Sequence, residues 1–190
     1  MSIGRVISGL GLAVMAVGPL TIGCEEDPVG VEDRIVIQLS GIKESDINSG
    51  TVQKSKNVTT ETSNPYGAFL QDARQTLGRD PSRIGVTMVQ ITLAGDSRGV
   101  ASFGDLFNGT VEVFLDADVG GTVPVARVSA PGGSGPIDLE LVSDEASLAP
   151  ILAALLATNF RVGIRGATPR TGSDDFDARI DVRIGFAAYE

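Results

Sequence analysis

The clearest pattern of hydrophobic and polar positions lies near the C-terminal end of the sequence. Between residues 176 and 188 every second residue is apolar, and most of the residues between them are charged. Successive side chains of a β-strand point to opposite faces of the sheet, so this spacing gives one apolar face and one charged face. The segment therefore predicts a long antiparallel strand with one face in a core and the other in water.

Shorter stretches of the same kind recur along the chain. They predict strands at residues 34–39, 86–93, 110–116, 123–128, 137–141 and 160–164. The small residues at 129–136 predict a turn, and we expect the strands on either side of it to form an antiparallel hairpin. If the strand at 160–164 pairs with the C-terminal strand, Arg161 and Arg165 face the charged residues of that strand.

Two helices are predicted between the strands. The first begins after Asn64, which can cap it, and has Pro65 at its first position and Gly78 at its end. The second is predicted at residues 147–158, where Ser147 can cap the helix and Pro150 falls within its first turn. At about three turns, this second helix is far too short to cross a bilayer.

The order and spacing of these elements predict the fold class. About seven strands at hairpin-like spacing favour an antiparallel β-sandwich, with the two short helices covering an end or an edge. The alternative is an open β-barrel with a helix as its lid.

The N-terminal segment has the layout of a secretory signal peptide. Arg5 is its only charged residue, and a largely apolar run follows from residue 6 to residue 22. Leu20 to Cys24 resembles the lipobox of bacterial lipoproteins, because the small residue Gly23 precedes the cysteine, although Thr21 stands where leucine is usual. The predicted organisation is a signal peptide at 1–23, an acidic tether at 24–33 and a single β-sandwich domain at 34–190.

Cys24 is the only cysteine of the chain, which excludes an internal disulfide. The resemblance implies that Cys24 carries acyl chains, which attach the protein to a membrane. Glu25 rather than aspartate follows the cysteine, which resembles the sorting pattern of outer-membrane lipoproteins. We therefore expect an outer-membrane lipoprotein of the bacterial cell envelope.

Composition narrows the chemistry that the domain can perform. The formal net charge of −9 disfavours nucleic acid as a partner. The chain has no histidine, which removes the commonest general base, the commonest metal ligand and every Ser-His or Cys-His nucleophile pair. We expect no enzymatic activity.

Two groups of aspartates are candidate calcium ligands. Asp116 and Asp118 follow a predicted strand and precede two glycines, and Asp174, Asp175 and Asp177 stand at the entry of the C-terminal strand. Calcium takes carboxylate and carbonyl oxygens as ligands, which such loops can supply. The pattern does not match a full calcium-loop signature, and a solvated acidic loop is the simpler interpretation.

All three lysines of the chain lie in the polar segment 41–64, at positions 43, 54 and 56. They lie among Glu44, Asp46 and Glu61, so we interpret the segment as a solvated loop or an edge strand rather than a binding patch.

Three functions remain open on the sequence alone. The first is a non-catalytic binding or scaffolding protein with an unknown protein partner. We expect the partner to bind to the loops at one end of the sandwich. The second is a carrier of a small apolar ligand, with the Leu/Ala-rich helix at 148–157 as a lid. The third is a calcium-stabilised surface adhesin or assembly subunit.

Overall fold

The computed structural model describes residues 30–171 and 174–190. The signal peptide, Cys24 and the start of the tether lie outside these ranges. The strands are β1 Gly30–Ile42, β2 Ile47–Asn48, β3 Thr51–Asn57, β4 Arg83–Leu93, β5 Thr110–Ala117, β6 Gly121–Ser129, β7 Ile137–Asp138, β8 Glu140–Leu141, β9 Arg161–Ala167 and β10 Ala178–Tyr189. The α-helices are α1 Pro65–Leu77, α2 Phe103–Leu106, α3 Glu145–Leu148 and α4 Leu152–Leu156. Short 3-10 turns stand at Glu44–Asp46, Val58–Thr60 and Ala149–Ile151.

The strands form two antiparallel sheets that share one hydrophobic core. The four-stranded sheet has the order β1-β10-β4-β7, and the six-stranded sheet has the order β2-β3-β9-β5-β6-β8. The fold is an antiparallel β-sandwich, as the alternating pattern predicted. The described ranges contain ten strands, against about seven predicted. Strand β3 lies in the segment interpreted as a solvated loop or an edge strand, and the predicted strand at 137–141 consists of the two short strands β7 and β8.

Strand β10 is central in its sheet, between β1 and β4. Its apolar face is fully buried at Ile180, Val182 and Ile184, whereas Arg183 on the other face is exposed. The predicted division into an apolar and a charged face is confirmed for this half of the strand. Towards its end the outer face is also buried, and Gly185 is needed there because a Cβ would lie 2.5 Å from the Thr87 hydroxyl oxygen.

Strand β9 does not pair with β10, so the condition under which Arg161 and Arg165 would face the charged residues of β10 is not met. Strand β9 lies in the other sheet, between β3 and β5, so the loop between β9 and β10 crosses from one sheet to the other. Arg161 and Arg165 therefore face acids of β5: Arg161 Nη1 lies 3.1 Å from Asp116 Oδ2, and Arg165 Nε lies 2.9 Å from Glu112 Oε2. Strands β9 and β10 each have one apolar face, and both faces are buried in the core between the two sheets.

The predicted hairpin of residues 123–128 with residues 137–141 is only partly correct. Ile137 pairs with Ile91 of β4 in the four-stranded sheet, whereas Leu141 pairs with Ala126 of β6 in the other sheet. Between these pairs, the Leu139 N–H donates to the backbone carbonyl of Val89 at 2.9 Å. The segment therefore crosses between the sheets, and only β8 forms the expected hairpin.

Helix α1 has the predicted boundaries. Asn64 Oδ1 accepts a hydrogen bond from the Gly67 N–H at 3.3 Å, Pro65 is the first helical residue, and Gly78 ends the helix at φ +68°. The helix packs against β1 and β10. Its buried face consists of Tyr66, Phe69, Leu70, Ala73 and Leu77. Tyr66 and Phe69 join Phe160 and Phe186 in an aromatic cluster, which ties the helix to both sheets.

The second predicted helix is broken into three pieces. It begins three residues earlier than predicted, because Asp144 rather than Ser147 is the cap. The Asp144 carboxylate accepts a hydrogen bond from the Ser147 N–H at 2.9 Å. Pro150 then falls beyond the first turn, where its missing N–H interrupts the helical hydrogen bonds. The chain passes through the 3-10 turn Ala149–Ile151 before α4. Of the helices in the described ranges, none has the length and hydropathy to cross a bilayer.

The first strand also begins earlier than predicted. Gly30 pairs with Tyr189 and Asp33 pairs with Phe186, so residues 30–33 of the predicted tether belong to β1. The alternation of Ile35, Ile37 and Leu39 gives the strand its buried face. The sheet therefore starts six residues after Cys24.

Candidate functional site

The two ends of the sandwich are formed by different segments of the chain. Gly30 and Arg83 both pair with Tyr189 at one end, which also holds the β5–β6 turn and the segment from α3 to α4. We call this the N-terminal end. The opposite end consists of residues 43–50, 94–109 and 130–136 and the loop between β9 and β10; we call it the loop end.

Backbone hydrogen bonds tie the segments of the loop end to one another. The N–H groups donate to carbonyls in the pairs Phe103 to Gly133 (2.7 Å), Leu93 to Ser134 (2.8 Å), Ala130 to Gly109 (2.9 Å), Asn108 to Ala167 (3.0 Å) and Thr168 to Gly50 (3.0 Å). Loops linked in this way present their side chains from a fixed frame, which is the usual arrangement of a binding surface on a β-scaffold.

Arg170 connects two of these segments, residues 94–109 and the β9–β10 loop, through its side chain. Its Nε donates to the backbone carbonyl of Asp105 at 2.7 Å, and Nη2 donates to the backbone carbonyl of Gly99. The guanidinium also lies 4.8 Å from the ring centre of Phe176. Since one planar cation satisfies two carbonyls and covers an aromatic ring, it holds α2 and the β9–β10 loop together.

Asp105 fixes the start of helix α2. Its carboxylate accepts hydrogen bonds from the backbone N–H groups of Ala101 and Ser102, both at 2.9 Å. These two bonds favour the charged form, first the one from Ala101, so the pKa of Asp105 lies below its usual value.

The aspartates predicted at 174, 175 and 177 do lie at the loop end. Asp177 Oδ2 lies 3.2 Å from Arg98 Nη2 and 3.6 Å from Lys43 Nζ. Asp174 Oδ2 accepts from the Thr171 N–H at 2.8 Å, and the carbonyl of Asp175 is so close to Gly99 that a Cβ there would lie 2.8 Å away. A small cavity of about 140 Å³ lies between Arg98 and these residues.

Asp116 and Asp118 lie at the N-terminal end, far from the other three aspartates. Asp116 accepts from the Thr122 hydroxyl at 2.6 Å, and Arg161 reaches both aspartates, at 3.1 Å and 3.3 Å. The two predicted groups therefore do not form one site. Within residues 30–171 and 174–190, no three acidic side chains converge as a ligand set for a metal ion. A calcium site stays a prediction.

The three lysines each face an acid. Lys54 Nζ lies 3.1 Å from Asp46 Oδ2, and Lys56 Nζ lies 2.7 Å from Glu61 Oε1; Lys43 shares Asp177 with Arg98. Two of them stand on β3, which is second from the edge of its sheet. They do not form a basic patch.

An open groove of about 310 Å³ lies beside α4 at the N-terminal end. Apolar residues dominate its lining: Val119, Pro150, Ala153, Ala154 and Ala157, with Asp118 and Asn159. The buried side chains of this segment, Leu148, Ile151 and Leu155, belong to the hydrophobic core instead. The groove is thus on the outer side of the helix and not in the space between it and the sheets.

The sequence patterns pointed to the aspartates but missed Arg98, Arg170 and Val119. An arginine that bonds distant carbonyls leaves no local pattern, because its partners are 65 and 71 residues away in the chain. Val119 did have a signal: it is an apolar residue in a turn, directly before Gly120 and Gly121.

The chain was compared with protein-family models and with curated proteins. No family model matches it, and no curated protein is significantly similar to it.

Proposed function

We propose that this protein is a lipid-anchored component of the bacterial cell envelope whose β-sandwich binds or scaffolds a protein partner without catalysis. The observation that carries the proposal is the position of the first strand relative to Cys24. Strand β1 begins six residues after that cysteine, at the N-terminal end. Six extended residues span at most about 20 Å. Acyl chains on Cys24 would therefore keep this end of the domain close to the bilayer.

With the N-terminal end held at the bilayer in this way, the loop end would point away from the membrane. The 12 residues of β10 run from one end to the other. At about 3.3 Å per residue, they separate the two ends by about 40 Å. Loops at that distance from the bilayer are accessible to a partner in the periplasm or at the cell surface, which supports the loop end as the binding surface.

The loop end offers charged side chains on a fixed backbone. The Arg98 side chain is 80% exposed, although its backbone N–H and carbonyl both bond to Asp177, at 2.9 Å and 3.0 Å. Asp96 is also exposed and pairs with Arg179 at 2.7 Å. Arginine held in this way is suited to pairing with carboxylates of a partner protein.

The anchor is tested by metabolic labelling. The full chain is expressed in a bacterium grown with labelled fatty acid, beside Cys24→Ala. We expect label on the wild type, its recovery with membranes, and loss of both in the variant. Persistent label in Cys24→Ala would refute the anchor.

The binding surface is tested with two charge reversals at opposite ends. Arg98→Glu alters the loop end, and Arg79→Glu, whose side chain is 61% exposed beside Glu190, is its matched control at the N-terminal end. Proteins crosslinked to each variant in intact cells are identified by mass spectrometry. A partner lost in Arg98→Glu and kept in Arg79→Glu supports the proposal; loss in neither variant assigns binding to another surface.

A further inference from the structure

We infer that the N-terminal end of the sandwich rests on the bilayer, and that the β5–β6 turn touches the lipid surface through Val119. This inference rests on the proposed lipid anchor at Cys24. It adds an orientation to that anchor: one defined patch of the domain contacts the boundary between headgroups and acyl chains.

Val119 is the most exposed large apolar side chain of the described chain. It is 83% exposed, whereas Val36, Leu141 and Val142 are at most 39% exposed. An apolar side chain that protrudes from a turn gains from burial in any apolar phase that the turn can reach.

The turn that carries Val119 is held firmly in place. Gly120 has φ +98°, and a Cβ on it would lie 2.3 Å from the carbonyl oxygen of Pro150. The backbone of the turn therefore packs directly on the 3-10 turn Ala149–Ile151. The Val119 side chain itself is 83% exposed, so this fixed turn presents it to the outside.

The surface next to Val119 is also apolar. The groove of about 310 Å³ beside α4 is lined by Pro150, Ala153, Ala154 and Ala157. Together with Val119 these residues form a continuous patch of small apolar side chains, which we call the Val119 patch. Among the residues that the structure describes, Asp118 is the one charged residue in this lining, and it pairs with Arg161 at 3.3 Å.

One arginine offsets part of the negative charge beside the patch. Arg161 lies between Asp116 and Asp118 and contacts both. An acidic chain is repelled by anionic headgroups, but one arginine shared by two carboxylates reduces that repulsion where the turn would approach the lipid.

The chain that leads to Cys24 ends on the same side of the domain as the patch. Gly30 pairs with Tyr189, and the next residue, Glu190, forms an ion pair with Arg79 at 3.6 Å. Arg74, in the last turn of α1 before Arg79, donates a hydrogen bond to the Leu156 carbonyl of α4 at 3.1 Å. With at most about 20 Å of chain between Cys24 and Gly30, a bilayer that holds the acyl chains lies within reach of this end. One valine cannot anchor a domain, so its contact sets orientation while the acyl chains supply attachment.

The absence of tryptophan from the chain allows a direct test. Val119→Trp places a single fluorophore in the patch. Gly132→Trp is the matched control at the loop end, because Gly132 is exposed and a Cβ there meets open space. Both full-length lipidated variants are reconstituted into phosphatidylcholine vesicles with and without brominated acyl chains.

We expect Val119→Trp to emit at shorter wavelength than Gly132→Trp, and brominated lipid to quench it at least twofold more. Equal quenching of the two variants would overturn the inference. Ala153→Trp, in an exposed position of the same patch, is a second probe if Val119→Trp alters the circular dichroism spectrum.

Flotation of each sample with the vesicles separates this inference from the anchor. Protein that carries acyl chains and floats, but shows no preferential quenching at positions 119 and 153, refutes the contact and leaves the anchor standing. Protein that lacks acyl chains and does not float refutes the anchor, and the inference fails with it.

Discussion

The carboxylate of Glu61 accepts a hydrogen bond from the backbone N–H of Gln38 at 2.9 Å. Gln38 lies on β1, the long edge strand of the four-stranded sheet, so this N–H would otherwise be open to another strand. Asp33 covers a second N–H of the same strand, that of Arg34, at 2.7 Å. Two carboxylates therefore occupy two N–H groups of this 13-residue strand, which hinders its pairing with another chain.

We predict that Glu61→Ala combined with Asp33→Ala promotes self-association. Both hydrogen bonds are exposed to solvent, so their loss should cost little stability by itself, but it leaves the edge uncovered. Size-exclusion chromatography with light scattering should show concentration-dependent oligomers. Glu61→Gln, which retains an acceptor oxygen, should remain monomeric under the conditions in which the wild type does; oligomers of the Gln variant would contradict this explanation.

The Tyr66 hydroxyl is buried and has no hydrogen-bond partner among the described residues. Burial raises the pKa of this phenol, so the group stays neutral. An unpaired buried hydroxyl costs about 1–3 kcal/mol, so Tyr66→Phe should leave the melting temperature unchanged or raise it. Phe69→Ala in the same cluster should lower stability by about 3–5 kcal/mol. A clear loss of stability in Tyr66→Phe would show that the hydroxyl is paired in solution.

The low pKa of Asp105 predicts a pH-dependent contribution to stability. A carboxylate whose pKa is lower in the folded state stabilises the fold above its unfolded pKa, which is about 3.9. That contribution is lost as the pH falls towards the folded value. The stability difference between wild type and Asp105→Asn in urea should therefore be full at pH 7 and shrink below about pH 4.

Asp144, whose pKa is lowered first by the Ser147 hydroxyl and then by the Ser147 N–H, should behave in the same direction in Asp144→Asn. A difference that stays constant between pH 7 and acidic conditions would mean that these hydrogen bonds do not favour the charged form.

Two adjacent glycines give a matched pair of substitutions. Both have positive φ, +98° for Gly120 and +79° for Gly121, but only Gly120 lacks space for a Cβ. Gly121→Ala should cost about 1–2 kcal/mol from backbone strain alone. Gly120→Ala should cost more, because the Pro150 carbonyl must move as well. Urea denaturation of the two variants measures the difference, and equal losses would argue against tight contact of the turn with Pro150.

Elements with strong local signals were predictable from the sequence. The two-residue period of β10 reports which side chains face the core, because one sheet face is buried and the other is not. Helix α1 was predictable at both boundaries since Asn64 and Gly78 act through their own local backbone. The effect of Pro150 on the helix was predicted wrongly. The helix is capped at Asp144, three residues before the predicted cap, so Pro150 lies beyond the first turn, where a proline interrupts the helix.

Neighbour relations were not predictable in the same way. The two-residue period shows which face of β9 and of β10 is apolar. It does not show whether the two strands are neighbours, because their apolar faces are buried in the core both when the strands share a sheet and when they lie in opposite sheets. The loop-end contacts of Arg170 depend on carbonyls brought together only by the complete fold. The aspartates were predicted as candidate calcium ligands, yet Asp116 and Asp177 lie at opposite ends and face arginines.

The crossing of residues 137–141 from β4 to β6 has a mechanical consequence. Five consecutive residues carry hydrogen bonds to both layers, through Ile137 to Ile91 on one side and Leu141 to Ala126 on the other. The two sheets therefore cannot shift or separate unless these backbone hydrogen bonds break. We expect amide protons of the two layers to exchange with solvent as one cooperative unit rather than layer by layer.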